Sequence, residues 1–249
     1  NLSKYINNFR VKIISFGENK SSMYKLKKTV IKNNKTCAEA ILQNGVEFFF
    51  KVNSPGAHHA RNALGIICIL EILEIDLAQG MFELSNWNPS SGRGLATNIK
   101  YNDRHEVRSF TIIDETYNAN PTSVIAALKM LSNFSLRNKD ENSDYQFRRI
   151  AILGDMLELG TNENKKHSEL VEKLNFDGID VIYCIGTCMN FFYKKLPASK
   201  RGKWCENVKD FSSDITDIIK DQDIIMIKGS NSVGLNSLVK QLKAMGTPG

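Results

Sequence analysis

Residues 112–121 read IIDETYNANP: two β-branched residues, then Asp114, Tyr117, Asn118 and Asn120, closed by a proline. A carboxylate there can accept from hydroxyls, a phenol can stack or donate, and two amides can both donate and accept. That set suits a polar, hydrogen-bonding ligand. It also suits a capped turn, because Asp and Asn favour turns and a proline opens a helix well. The residues alone leave both readings open.

Four other stretches carry similar chemistry. In GAHHARN, His58 and Asn62 are four residues apart and share one face if the segment is helical. SGRG holds Arg93 between two glycines, where a guanidinium could approach a phosphate closely, or simply occupy an exposed turn. GDMLELG places Asp155 and Glu158 three apart, a pair able to hold a metal or an amine, or to sit in a solvated loop. KGSNS, at 228–232, offers an anion site ahead of a helix, a weak signal by itself. His167, in KKHSEL, reads as a surface residue of a helix. No G-x-x-x-x-G-K-[ST], G-x-S-x-G or H-E-x-x-H occurs, so a phosphate cradle, a nucleophile elbow and a zinc-protease helix have no sequence support.

These polar stretches follow apolar runs, and the runs define the elements. Short β-branched segments at 11–17, 46–52, 109–114, 148–154, 180–186 and 223–229 read as strands. Apolar residues three and four apart predict a long helix over 58–77, and further helices over 122–131, near 162–174, near 187–196 and over 234–243. Strand and helix alternate after a turn-rich link at 86–94, NWNPSSGRG, which predicts an α/β protein with a parallel sheet under helices. The polar segment 137–147 reads as an exposed insertion. Ligands of such sheets bind beyond the carboxyl ends of the strands, where DETYNAN, GDMLELG and KGSNS fall.

Composition narrows the class. The chain has 249 residues, 42% hydrophobic and 24% charged, which is ordinary for a globular protein of one or two domains. Its net charge of +6 comes from Lys and Arg scattered among acids, which argues against nucleic acid and fits phosphorylated substrates. Five cysteines include one C-x-x-x-C pair and no second pair, so reduced buried thiols and a cytoplasmic setting are expected, with no metal site. No apolar run reaches the roughly 18 residues of a membrane span. The first residue is Asn, so the chain reads as a piece of a longer one.

Taken in order, GAHHARNAL, GRG, IIDETYNANPTS, ILGDMLELG with a later His, and IIMIKGS resemble the Mur ligase family over nearly the whole chain. Within that family YNANP and GDMLELG most resemble the members that join D-alanyl-D-alanine to UDP-N-acetylmuramoyl-tripeptide. The resemblance implies a remnant of the central ATPase domain over 1–85, lacking its P-loop, and a Rossmann-like C-terminal domain over 86–249. It implies ATP-driven amide formation through an acyl phosphate, with Mg²⁺ held by ligands outside this chain. The missing N-terminal half is then a partner, and this chain alone is expected to be inactive.

Carried over residue by residue, the resemblance gives Asn62 an adenine contact, with His58 beside it. It gives Arg93 the ATP phosphates and Asp114 the ribose. Tyr117, Asn118 and Asn120 fall at the nucleotide and dipeptide interface, and Asp155 and Glu158 near the dipeptide. No catalytic residue or metal ligand is assigned. Two departures stand out: the family has His-Asn where this chain has His58-His59, and often Arg where it has Asn231. Another amide ligase of the superfamily, or a non-catalytic binding remnant, are the alternatives.

Overall fold

The computed structural model describes residues 13–103, 106–134 and 147–249. The expected insertion at 137–147 lies outside the described residues except for Phe147, as do the first two residues of the 11–17 run. The chain divides into two compact units, Asn1–Trp87 and Asn88–Gly249.

The first unit carries a four-stranded sheet in the order β1 (Phe16–Gly17), β2 (Tyr24–Lys32), β3 (Lys35–Ile41) and β4 (Glu47–Val52). β1 runs parallel to β2, and the remaining pairs are antiparallel. Asn33 and Asn34 make the β2–β3 turn with φ of 51° and 55°, the left-handed pair that a tight hairpin needs. Helix α1 (Ala57–Ile72) lays Ala60, Ala63, Leu64 and Ile67 on Tyr24, Leu26, Ala40 and Phe50 of the sheet.

The single long helix expected over 58–77 is two helices. Glu74 adopts φ 55°, which ends α1, and the Asp76 carboxylate then accepts from the N–H groups of Ala78 and Gln79 to start α2 (Leu77–Asn86). Apolar spacing continues through that corner, so periodicity alone does not mark it. An N-cap of this kind contributes about 1 kcal/mol.

The second unit is a seven-stranded sheet with helices on both faces. Its strands are β5 (Leu95–Asp103), β6 (Glu106–Glu115), β7 (Arg149–Gly154), β8 (Val181–Ile185), β9 (Arg201–Cys205), β10 (Ile224–Lys228) and β11 (Thr247–Pro248). The order is β11-β5-β6-β10-β7-β8-β9, with β6, β10, β7, β8 and β9 parallel, β5 antiparallel to β6, and β11 antiparallel to β5.

Alternation along the buried strands divides the core. Ile113, Ala151, Leu153, Ile224 and Met226 face one layer, which holds α3 (Pro121–Ser132), α4 (Glu163–Leu170) and α5 (Met189–Lys195). Ile112, Ile150, Ile152, Ile225 and Ile227 face the other. That layer holds α6 (Val208–Ser212), α7 (Ile215–Ile218) and α8 (Asn236–Lys243). Burial on both faces explains why the central strands are unbroken apolar runs rather than alternating ones.

All five cysteines are free thiols; Cys37 is exposed and the other four are buried. Among the described residues no helix is long and apolar enough to cross a membrane.

Candidate functional site

In the second unit β10 lies between β6 and β7, so the carboxyl ends of three parallel strands are neighbours: Glu115, Lys228 and Gly154. A loop after each strand tip carries the polar stretches. The helix that follows β6 must begin at once, because Pro121 stands at its first turn and Asn120 caps it. The Asn120 side chain accepts from the Ser123 N–H at 2.9 Å, and the Ser123 hydroxyl answers the Asn120 N–H at 3.0 Å. Asn120 therefore serves the helix.

Asp114 is buried, 2% exposed, and its acceptor sites are filled. Oδ2 accepts from the Gly92 N–H at 2.9 Å and the Ser91 hydroxyl at 3.2 Å. Oδ1 accepts from the Thr116 hydroxyl at 2.7 Å and its N–H at 3.2 Å. A carboxylate offers about four such positions. The backbone reinforces the tie: the Gly94 N–H donates to the Asp114 carbonyl and the Tyr117 N–H to the Gly92 carbonyl. Gly92 has φ +80°, and a Cβ there would lie 3.0 Å from the Tyr117 backbone nitrogen, so this close approach needs a glycine.

The product of this knot is the placement of Arg93. Its guanidinium lies 3.9 Å from the centroid of the Tyr117 ring, and both residues are exposed. Stacking on an aromatic face fixes the plane of a guanidinium while its N–H edges stay open to an anion. The structure thus brings Arg93, Asp114 and Tyr117 together, through Ser91, Gly92 and Thr116, three residues that sequence reasoning missed. Their only signal is that Ser, Gly and Thr flank the Arg and the Asp.

The anion site expected at KGSNS does not include a free Lys228. That lysine is instead buried, 2% exposed, paired with Glu115 at 3.2 Å and donating to the Asn118 carbonyl at 2.8 Å. A lysine so enclosed spends its charge on the loop after β6 rather than on an outside anion. Asn118 itself is exposed beside Tyr117.

Asp155, at the β7 tip, turns inward. It accepts from the N–H groups of Met189 at 2.7 Å and Cys188 at 3.3 Å, at the start of α5. Burial pushes its carboxyl above the usual carboxylate range, and those two N–H groups pull it part of the way back. Gly186 makes room, since a Cβ there would sit 2.3 Å from the carboxyl carbon. Glu158, three residues on, is exposed and has φ 62°. Asp155 and Glu158 therefore do not act as a pair. Among the described residues no group of three His, Cys, Asp or Glu side chains could hold a metal ion.

The expected surface position of His167 is wrong: it is fully buried, 0% exposed, and bound to the β7 tip. Leu170, three residues on, is also buried, and that shared face was the available signal.

In the first unit, Gly56 with φ 135° leads into α1, where Thr36 holds the turn through the Gly56 N–H and the Ser54 carbonyl. Asn62 is exposed on the second turn. His58 and His59 rings lie 4.0 Å apart, and the His59 ring is 5.8 Å from Trp87. Burial, and then the neighbouring His58, push the His59 pKa down to about 3.

The profile of the family described as "Mur ligase, glutamate ligase domain" matches residues 103–231, more than half of the chain. The chain belongs to the Mur ligase family. The chain is also 33% identical over 182 residues to the UDP-N-acetylmuramoyl-tripeptide--D-alanyl-D-alanine ligase of Rickettsia prowazekii (strain Madrid E). That match covers 73% of this chain and 36% of the relative. The enzyme of the same name from Escherichia coli (strain K12) is 26% identical over 195 residues, 78% of this chain and 38% of the relative.

Among solved Mur ligases, the MurF ligase of Thermotoga maritima in complex with ADP superimposes with a TM-score of 0.73 at 20% identity. It covers 98% of this chain and 51% of that one. MurF from Acinetobacter baumannii gives 0.72 at 20%, covering 94% and 47%. This Mur ligase chain spans less than half the length of the curated relatives it matches.

Proposed function

We propose that this chain is the C-terminal half of an ATP-dependent ligase that joins D-alanyl-D-alanine to UDP-N-acetylmuramoyl-tripeptide, a step in making peptidoglycan precursors. The reading rests on the 33% identity to a ligase of that name and on the fixed placement of Arg93 over Tyr117 at the β6 tip. In this reading residues 1–85 are the end of a central ATPase domain and residues 86–249 the C-terminal domain, and both halves of the full-length ligase are needed.

The chemistry asks for neutralised phosphate charge and for an amine set against an activated acyl group. Arg93 supplies the first from this chain: a guanidinium held flat by Tyr117 presents its donors to phosphate oxygens. Asp114 acts on Arg93 by anchoring the 91–94 turn; its filled acceptors mean that a ribose hydroxyl must take over the Ser91 position to reach it. Asn118 and Tyr117 are the exposed polar groups beside Arg93, and Glu158 is the exposed carboxylate of the next tip. Asn62, with His58 below it on the same helix, is the adenine contact of the first unit. A Mg²⁺ bound with the nucleotide would offset phosphate charge, but among the described residues no cluster of His, Cys, Asp or Glu fits it.

The 249-residue chain has no P-loop motif, so by itself it should release no phosphate from ATP. Phosphate release with ATP, UDP-N-acetylmuramoyl-tripeptide and D-alanyl-D-alanine tests both parts. The full-length reading frame should turn over and should complement a ligase-deficient bacterium. Turnover by the chain alone, or failure of the full-length protein in both assays, overturns the proposal.

A further inference from the structure

The three strand-tip segments 114–120, 154–160 and 228–232 contain four carboxylates, and the structure disposes of three of them. Asp114 and Asp155 are buried and their oxygens are taken by N–H and hydroxyl donors. Glu115 is paired with Lys228. Glu158 alone is exposed, and it makes no hydrogen bond or ion pair with the described residues.

The backbone around Glu158 is held at nearly every residue. Met156 donates its N–H to His167 Nε2 at 2.9 Å. Leu157 donates its N–H to the Ser230 hydroxyl at 2.9 Å, and the Ser230 N–H donates to the Asp155 carbonyl at 3.0 Å. Lys166 Nζ donates to the Leu159 carbonyl at 2.6 Å. Glu158 sits between these ties at φ 62°, a conformation a side-chain-bearing residue keeps only when its neighbours impose it.

His167 is the buried member of the clamp. Because its Nε2 accepts from Met156, the ring proton lies on Nδ1, which reaches the Glu163 carbonyl at 2.8 Å. The ring therefore bridges α4 and the β7 tip, with both nitrogens used.

We propose that His167 is a positioning residue that holds the Asp155–Glu158 turn so that the Glu158 carboxylate meets the cationic amino end of the dipeptide substrate. The functional half of this statement rests on the ligase reading above. The clamp itself does not.

Two substitutions separate positioning from mere filling of space. The His167→Gln amide oxygen can stand where Nε2 stands and accept from Met156. In His167→Asn the shorter side chain keeps the contact with the Glu163 carbonyl but cannot reach Met156. Amide exchange on the 249-residue chain should show Met156 protected in wild type and in His167→Gln, and released in His167→Asn, with both variants folded by circular dichroism. In the full-length ligase, His167→Asn and Glu158→Gln should each raise KM for D-alanyl-D-alanine about 10-fold or more, with KM for ATP unchanged, and His167→Gln should stay near wild type.

Continued protection of Met156 in His167→Asn overturns the clamp. Equal KM changes in the Gln and Asn variants, or equal changes for ATP and dipeptide, overturn the positioning role. A wild-type full-length protein without turnover overturns the ligase reading instead, and the exchange pattern then decides the clamp by itself.

Discussion

At the scale of the residue, His59 couples the first unit to pH. Its folded pKa of about 3 lies below the ordinary value of 6.5. Between those values the unfolded chain binds more protons than the folded one, so stability is complete above about pH 6.5 and is lost as pH falls toward 3. The slope should approach 1.4 kcal/mol per pH unit, roughly the value for one proton. In a Trp204→Phe background, urea midpoints read from Trp87 fluorescence at pH 7 and pH 4.5 should differ with His59 present and converge in His59→Asn, which cannot titrate there. Arg93 belongs to the same scale. Arg93→Ala should weaken nucleotide binding by the full-length protein about 10-fold or more, the loss of one charge-assisted hydrogen bond. Isothermal titration with ADP measures it, and an unchanged affinity would remove Arg93 from the site.

At the scale of the element, the loop after β6 shows how a short stretch serves two ends. Asn120 and Ser123 close the capping box of α3, while Asp114 and Gly92 tie the 91–94 turn to the strand. Asn120→Ala should cost about 1 kcal/mol of stability with little effect on ligand binding. Gly92→Ala should cost about 1–3 kcal/mol, since its φ is left-handed, and should also displace Arg93. Chemical denaturation paired with ADP titration separates the two outcomes. The buried parallel strands were readable because both their faces are apolar, giving unbroken β-branched runs such as DIIMIKG. β2 and β3 escaped notice because one sheet face is exposed and rich in Lys, and the left-handed Asn33-Asn34 turn is a subtler mark than a glycine. The end of α1 was hidden for a related reason: Glu74 is a poor predictor of a left-handed residue. In the candidate site, the types of residue were visible in the sequence, but which oxygen each donor would meet was not. Asp114 and Asp155 look like ligand-binding carboxylates in one dimension and are consumed by N–H and hydroxyl donors in three.

At the scale of the whole molecule, the two units have separate cores and one tryptophan each: Trp204 packs against a core of the second unit, and the exposed Trp87, beside His59, ends the first. Urea unfolding followed in Trp87→Phe and Trp204→Phe variants should therefore give two different midpoints; coincident curves would mean that the units melt as one. The four sequestered cysteines make such experiments simpler than five thiols would suggest. Cys37 projects from the sheet of the first unit, and the rest are walled off by packing, with burial holding the Cys68, Cys184, Cys188 and Cys205 thiols above their ordinary pKa. Maleimide chemistry on the native protein should consequently stop at one dye per chain, giving a reporter confined to the first unit without any engineered handle.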